Sequence, residues 1–213
     1  MSIIITDLTK KLRRRVILDH INVTFDAGRI HGIVGHNGSG KTMLFRAVSG
    51  LMHPTSGTIS YNGKQLYEDM ETLPSLGIIL ENADLYPEYS AVKNLTHLAG
   101  IRDVIDDEIV RETICRVGLD PDDQRPYRKY SLGMKQRLKI AQAIMEKPEV
   151  LILDEPTNSL DPEGIELLYK LLVEERERGT LVLVASHQLA EISDMADRVY
   201  RMDAGKLREV DDV

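Results

Sequence analysis

Hydrophobic and polar positions along the chain change period several times. Ile3-Ile4-Ile5 is a short apolar run, Ile21-Asn22-Val23-Thr24-Phe25 alternates, and Ile30-His31-Gly32-Ile33-Val34 is mostly apolar. All three read as strands. A glycine-rich turn follows, after which Lys41 to Ser49 reads as a helix. Gly57 to Tyr61 reads as a strand ending in an Asn62-Gly63 turn, a pair suited to a tight hairpin. Leu76 to Leu80 is another short apolar strand.

From Ala91 to Lys147 the pattern turns helical, with charges every few residues. Val150-Leu151-Ile152-Leu153 and Leu181-Val182-Leu183-Val184-Ala185 are continuous apolar runs, as expected of strands covered on both faces. Helices are expected at about 163–177 and 188–195, and strands at Arg198 to Asp203 and Lys206 to Val210 around Ala204-Gly205. Strands alternating with helices imply an α/β core with a mostly parallel sheet, preceded by an N-terminal antiparallel β part. The helical stretch interrupts that core. The expected organisation is a core lobe over about 1–84 and 148–213 and an inserted helical lobe over about 85–147.

At 213 residues and 42% hydrophobic, the chain is long enough to bury a substantial core. Its formal net charge of -7 argues against a general nucleic-acid binder, whose affinity needs a basic surface. The lone cysteine, Cys115, sits in the apolar pattern Ile114-Cys115-Val117 and is expected to be a small core residue in a reducing compartment. The N-terminal apolar run is too short for a signal sequence, and its charges follow it. No window approaches the roughly 20 apolar residues that span a bilayer. The chain is thus expected to be soluble and to reach a membrane only by docking on another chain.

Gly35-His36-Asn37-Gly38-Ser39-Gly40-Lys41-Thr42 matches the P-loop pattern, and it follows an apolar strand and opens a helix. Glycines let the backbone wrap phosphates closely with its N–H groups pointing inward, and the helix N-terminus favours an anion. Lys41 is expected to reach the β- and γ-phosphates and the Thr42 hydroxyl to ligate Mg²⁺. Met43, next in the chain, joins the nucleotide-binding set. The run Val150 to Leu153 delivers Asp154 and Glu155 at a strand's C-terminal end, where ligands bind in parallel sheets. Asp154 suits Mg²⁺, and Glu155 suits the general base that polarises the attacking water.

Several further segments resemble the ATP-binding subunits of ABC transporters, in the family's order and over essentially the whole chain. Tyr130-Ser131-Leu132-Gly133-Met134-Lys135-Gln136 resembles the ABC signature. Ser131 and Gly133 match it; Leu132 and Met134 depart from its first Gly and its Gln. In the family this segment starts a helix and touches the γ-phosphate of an ATP held by a partner. Ser131 also fits a plain helix cap, and both roles can hold together. Pro156 to Asp161 resembles the D-loop, which implies that Asp161 contacts the opposite subunit; taken alone, Asp161 reads as a cap before Pro162. Ser186-His187 resembles the switch histidine that senses the γ-phosphate.

Two positions depart from the family. Its usual Gln before the helical lobe falls at Glu81 in Leu80-Glu81-Asn82-Ala83, where a carboxylate could approach Mg²⁺ or water. Glu81 therefore joins both the catalytic and the metal candidates. Glu at that place, Leu85-Tyr86-Pro87 followed by Asn94-Leu95, and Ser-Leu-Gly-Met in the signature resemble the exporters that confer immunity to lantibiotics and bacitracin-like peptides. Family members also stack the adenine on an N-terminal aromatic. Counting back from Leu18-Asp19 puts Leu12 or one of its neighbours there, none of them aromatic, so the base is expected to meet only apolar contact, with Leu12 and Val16 as the candidates. Weaker base discrimination follows, and GTP stays open as a second substrate.

The resemblance implies ATP and Mg²⁺ as cofactors and a head-to-tail pair, homo- or heterodimeric, sandwiching two ATP molecules. Lys41, Thr42, Asp154, Glu155 and His187 of one chain would face Ser131 and Gly133 of the other. It also implies integral membrane transporter subunits as partners, docked near residues 81–95, with the chain at the cytoplasmic face of the membrane and export as the expected direction. A soluble ABC-type ATPase of repair or translation is the rival. Repair members need a long coiled coil between the nucleotide motifs, for which 42–130 is too short; translation members usually carry two such domains.

Overall fold

The computed structural model describes residues 1–80 and 84–210. The chain opens with a long antiparallel hairpin, β1 (Ser2–Leu12) and β2 (Arg15–Asp26), reversed across Arg13 and Arg14. Pairing β1 with β4 (Ser56–Tyr61), and β4 with the short β5 (Lys64–Gln65), completes a four-stranded antiparallel sheet in the order β2-β1-β4-β5. The β4–β5 turn is Asn62-Gly63, with φ of 51° and 79°, the left-handed pair a two-residue hairpin turn requires.

The second sheet runs β10-β9-β3-β8-β7-β6. Its strands are β3 (Arg29–Val34), β6 (Leu76–Ile79), β7 (Val150–Asp154), β8 (Leu181–Ser186), β9 (Arg198–Asp203) and β10 (Lys206–Val210). Every pairing in it is parallel except β9 with β10. Helices α1 (Lys41–Val48), α5 (Pro162–Glu177) and α6 (Leu189–Ser193) connect its strands. Between β6 and β7 lie α2 (Ala91–Ala99), α3 (Asp107–Arg116) and α4 (Leu132–Ile144), with no strand among the described residues there.

The continuous apolar runs have a direct cause. Leu151, Leu153, Val182 and Val184 face one core, with Leu95, Val110, Leu138 and Leu168 of the helices. Val150, Ile152, Leu181 and Leu183 face the other, with Phe45 and Val48 of α1 and Ile3, Phe25 and Ile59 of the antiparallel sheet. Each strand alternates its side chains between two buried faces, so neither face tolerates a polar residue.

Cys115 is exposed, not part of the core. On α3 the buried stripe is Val110, Thr113, Ile114 and Val117, spaced i, i+3, i+4, i+7. Cys115 lies about 100° round the helix from Ile114 and falls off that stripe. The apolar pattern hid this because adjacent helical residues such as Ile114 and Cys115 point about 100° apart.

Gly77 of β6 lies under the end of α4, where an added Cβ would come 1.9 Å from the Ala143 carbonyl oxygen. Gly77→Ala should therefore destabilise the chain by roughly 1–3 kcal/mol through overpacking against backbone, read as a lower midpoint in chemical denaturation. An unchanged midpoint would show that α4 shifts at no cost.

Candidate functional site

β3, β7 and β8 end level with one another. Ala185 pairs with Ile33 on one side and Asp154 on the other, and Ser186 pairs with Val34. The segments that follow therefore emerge together at the carboxyl edge of the sheet: Gly35 to Thr42, Glu155 to Asp161, and His187. Gly35 N donates to Ser186 O at 3.3 Å and Glu155 N to Ala185 O at 2.9 Å, so the ladder continues one residue past each strand. Beyond that point polar side chains can be used without burial inside the sheet.

The loop between β3 and α1 has a shape that suits a phosphate. Gly38 and Gly40 have φ of 80° and 119°, which bulkier residues adopt only at a cost. Gly40 is the N-cap of α1 and makes no side-chain cap bond, so the first N–H groups of the helix remain for an anion. The loop is braced from behind by the β9–β10 turn. Gly205 N donates to Ser39 O at 2.9 Å, and Asp19 N donates to Gly205 O at 2.9 Å. An added Cβ at Gly35 would lie 2.4 Å from Met202 O. His36 reaches the same turn, its Nε2 3.2 Å from Asp203 Oδ1 and its Nδ1 2.9 Å from Asn37 O. The Asn37 carbonyl and the Asp203 carboxylate hold its pKa above the usual imidazole value.

Lys41 is 6% exposed. Its Nζ donates to Gly35 O at 2.6 Å and lies 3.2 Å from Glu155 Oε1. The other carboxylate oxygen, Glu155 Oε2, is 2.8 Å from His187 Nδ1 and accepts from His187 N at 3.3 Å. Glu155 thus stands between the lysine and the histidine, in a left-handed backbone conformation with φ of 53° that non-glycine residues keep only where the surroundings enforce it. Thr42 Oγ1 donates to Asp154 Oδ2 at 2.5 Å, which brings two hard oxygen donors to one point beside the cradle.

A cavity of about 460 Å³ lies over these groups. His36, Asn37, Gly38, Gly40, Lys41, Thr42, Met43, Asp154 and Glu155 line it, and Leu12, Arg15 and Ile17 form its far wall. Val16 does not line it. In the hairpin Leu12 pairs with Arg15 and Lys11 with Val16, and cross-strand partners share a face. Arg15 and Ile17 therefore turn inward with Leu12 while Val16 turns away. Arg15 was hidden in the run Arg13-Arg14-Arg15, which reads as an exposed turn; only the strand register separates it from its neighbours. Glu81, an expected catalytic and metal-side residue, lies outside the described residues.

Ser131 and Gly133 line a different cavity, of about 310 Å³, together with Arg137, Ser159 and Asp161. No residue belongs to both cavities. Ser131 is the N-cap of α4, accepting from Met134 N at 3.2 Å, and Asp161 is the N-cap of α5, accepting from Gly164 N at 2.9 Å. Arg137 Nη2 donates to Asp161 Oδ1 at 3.0 Å, and Gln136 Nε2 donates to Pro156 O at 3.0 Å. The start of α4 and the loop after Glu155 are thereby fixed to each other.

A mostly parallel sheet carrying a P-loop, with an acidic pair at the end of the next strand but one, defines a P-loop nucleoside triphosphatase. The family model of ABC transporters matches residues 18–158. The chain is 40% identical over 213 residues to the bacitracin transport ATP-binding protein BcrA of Bacillus licheniformis, covering 98% of this chain and 70% of that protein. It is 35% identical to the lantibiotic transport ATP-binding protein SrtF of Streptococcus pyogenes, covering 95% and 87%. A solved ATP-binding subunit of an ABC transporter superposes with a TM-score of 0.87 at 25% identity, over 99% of this chain and 91% of that one. The chain belongs to the ABC transporter family, as an ATP-binding and ATP-hydrolysing subunit.

Two substitutions probe the cavity. Lys41→Ala removes a charged donor from the cradle and should weaken a fluorescent ATP analogue about 10- to 100-fold; unchanged affinity would take Lys41 out of phosphate binding. Leu12→Tyr places a ring on the far wall and should tighten purine nucleotides by roughly fivefold. Equal affinity in that variant would mean that the base does not rest on Leu12.

Proposed function

We propose that the chain powers export across a membrane, working at its cytoplasmic face as one member of a head-to-tail pair that sandwiches two ATP molecules and drives separate membrane subunits. The observation that carries this reading is the disjunction of the two half-sites. One cavity has the phosphate cradle and the acidic pair; the other has Ser131, Gly133 and Asp161 at helix N-termini, and they share no residue. A second chain facing the first brings the two halves together. The division into a core lobe (1–84 and 148–213) and a helical lobe (85–147) belongs to the same reading.

Lys41 and the N–H groups at the start of α1 hold the phosphates. Thr42 and Asp154 suit Mg²⁺: a hydroxyl and a carboxylate already meet at 2.5 Å, and Mg²⁺ takes few protein oxygens beside substrate phosphates and water. When bound, the ion neutralises charge on the phosphates. Glu155 orients the attacking water and takes its proton, and His187, through Nδ1, fixes the carboxylate that does so. Ser131, Gly133 and Asp161 meet the nucleotide on the partner's cradle. Glu81 is assigned to the Mg²⁺ or water side on sequence grounds.

The names of BcrA and SrtF support a peptide antibiotic of the bacitracin or lantibiotic kind as cargo. Among the described residues no helix is long and apolar enough to cross a membrane. Leu12, Arg15 and Ile17 offer the base no aromatic ring, which supports acceptance of GTP beside ATP.

Glu155→Gln should bind ATP with Mg²⁺, lose hydrolysis by about 100-fold or more, and run as a dimer in size-exclusion chromatography with ATP. A variant hydrolysing at the wild-type rate removes Glu155 from the base role. Co-purification of the wild-type chain from detergent-solubilised membranes should recover a polytopic membrane protein in near-equal amount; ribosomal or repair proteins in its place would favour the soluble ATPase.

A further inference from the structure

Glu191 on α6 has no part in the roles assigned so far, yet its carboxylate joins two segments of the site. Glu191 Oε2 accepts from Thr157 Oγ1 at 2.8 Å and from Ser186 Oγ at 2.7 Å. Both donors are buried, at 6% and 1% exposure. Thr157 stands two residues after Glu155, and Ser186 is the last residue of β8, directly before His187. Ser186 Oγ also accepts from Gln188 N at 3.0 Å, which fixes the backbone on the far side of the histidine.

The backbone that carries Glu191 is itself held. Tyr169 Oη of α5 donates to Glu191 O at 2.9 Å. The next residue, Ile192, is fully buried and packs on β3, where a Cβ at Gly32 would lie 2.0 Å from its Cγ2. α6 therefore rests on the strand that leads into the phosphate cradle. One oxygen atom receives hydroxyls from the loop behind Glu155 and from the strand end before His187, and it does so from a fixed platform. A negatively charged acceptor makes both bonds stronger than a neutral one would.

We infer that Glu191 is a positioning residue that sets the distance between Glu155 and His187, and so the orientation of the carboxylate that takes the proton from water. The inference rests on the roles given above to those two residues. Glu191 lines neither the nucleotide cavity nor the cavity of Ser131. Its loss should therefore act on the chemical step and spare nucleotide binding. A helix charge that served only folding would lower stability and leave the turnover of folded protein intact.

The test uses the full chain at concentrations where the ATPase rate per chain no longer rises with protein. Displacement of a catalytic group by about 1 Å costs on the order of 100-fold, so Glu191→Ala should lower kcat by roughly 10- to 100-fold while its affinity for a fluorescent ATP analogue stays within about twofold. The amide oxygen of Glu191→Gln can accept the same two hydroxyls, and that variant should keep kcat within about threefold of wild type. Thr157→Val keeps the volume and removes one donor. It should lower kcat by itself and add nothing to Glu191→Ala, since the two act on one bond. Wild-type turnover in Glu191→Ala, equal losses in the Ala and Gln variants, or additive losses with Thr157→Val would each overturn the inference. If Glu191→Ala does not fold, Thr157→Val decides alone: reduced kcat at unchanged affinity supports it, and wild-type kcat overturns it. Wild-type hydrolysis by Glu155→Gln would sink the underlying role assignment, whereas an inactive Glu155→Gln beside an active Glu191→Ala sinks this inference only.

Discussion

Everything in the site depends on a sheet with two buried faces. Val150 to Leu153 and Leu181 to Ala185 are at most 1% exposed, so these strands have no face on which a charged side chain could meet water. A buried, unpaired charge costs several kcal/mol. Chemistry is thereby expelled to the strand ends. Because β3, β7 and β8 run parallel and in register, their ends coincide, and three segments far apart in sequence meet without any loop having to reach.

The same constraint explains the close packing behind the cradle. The loop from Gly35 to Gly40 must curl tightly over the sheet edge, and the antiparallel hairpins hold its outer side. Met202 O lies so close to Gly35, and Ile17 O to Gly205, that neither glycine has room for a Cβ, while Gly40 is required by its φ of 119°. These glycines thus serve both conformation and clearance. At the centre, Lys41 and Glu155 form an ion pair with side chains only 6% and 8% exposed. Such a pair adds little net stability, because desolvation offsets attraction; its effect is to hold a cation and a carboxylate at one place with few alternatives.

What could be read from the sequence follows from this physics. The parallel core was legible because both faces of its strands are apolar, so the pattern needs no knowledge of partners. The P-loop was legible because glycine spacing encodes a backbone shape. Arg15 and Val16 were not distinguishable, since which one faces the cavity depends on hairpin register, and β1 and β2 carry several register shifts. Cys115 misled because an apolar triplet has no preferred period. Glu191 left no trace as a ligand of Thr157 and Ser186, because a carboxylate in a first helical turn is common for dipole reasons alone and its partners lie in other elements.

The segment 84–90 shows how a resemblance acquires a physical cause. Asn94 is fully buried in α2, where an unsatisfied amide would be costly. Its Oδ1 accepts from Tyr86 N at 2.8 Å, and its Nδ2 faces the carbonyls of Tyr86, Tyr89 and Ser90 at 3.1, 3.2 and 3.1 Å. The spacing between Leu85-Tyr86-Pro87 and Asn94 is therefore that of a loop tied back onto the following helix. The loop is tied a second time, to the residues just ahead of Ser131. Tyr127 N donates to Tyr89 O at 2.8 Å, Arg128 N donates to Pro87 O at 3.0 Å, and Tyr127 Oη donates to Asp84. A loop joined by backbone hydrogen bonds to the approach to α4 cannot be displaced alone. Any chain that docks against residues 84–90 bears on the helix N-terminus that carries Ser131 and Gly133, and the Gln136 and Arg137 contacts carry that load to the loop after Glu155. Residues 84–90 and the loop after Glu155 are thus connected through a run of backbone and side-chain hydrogen bonds.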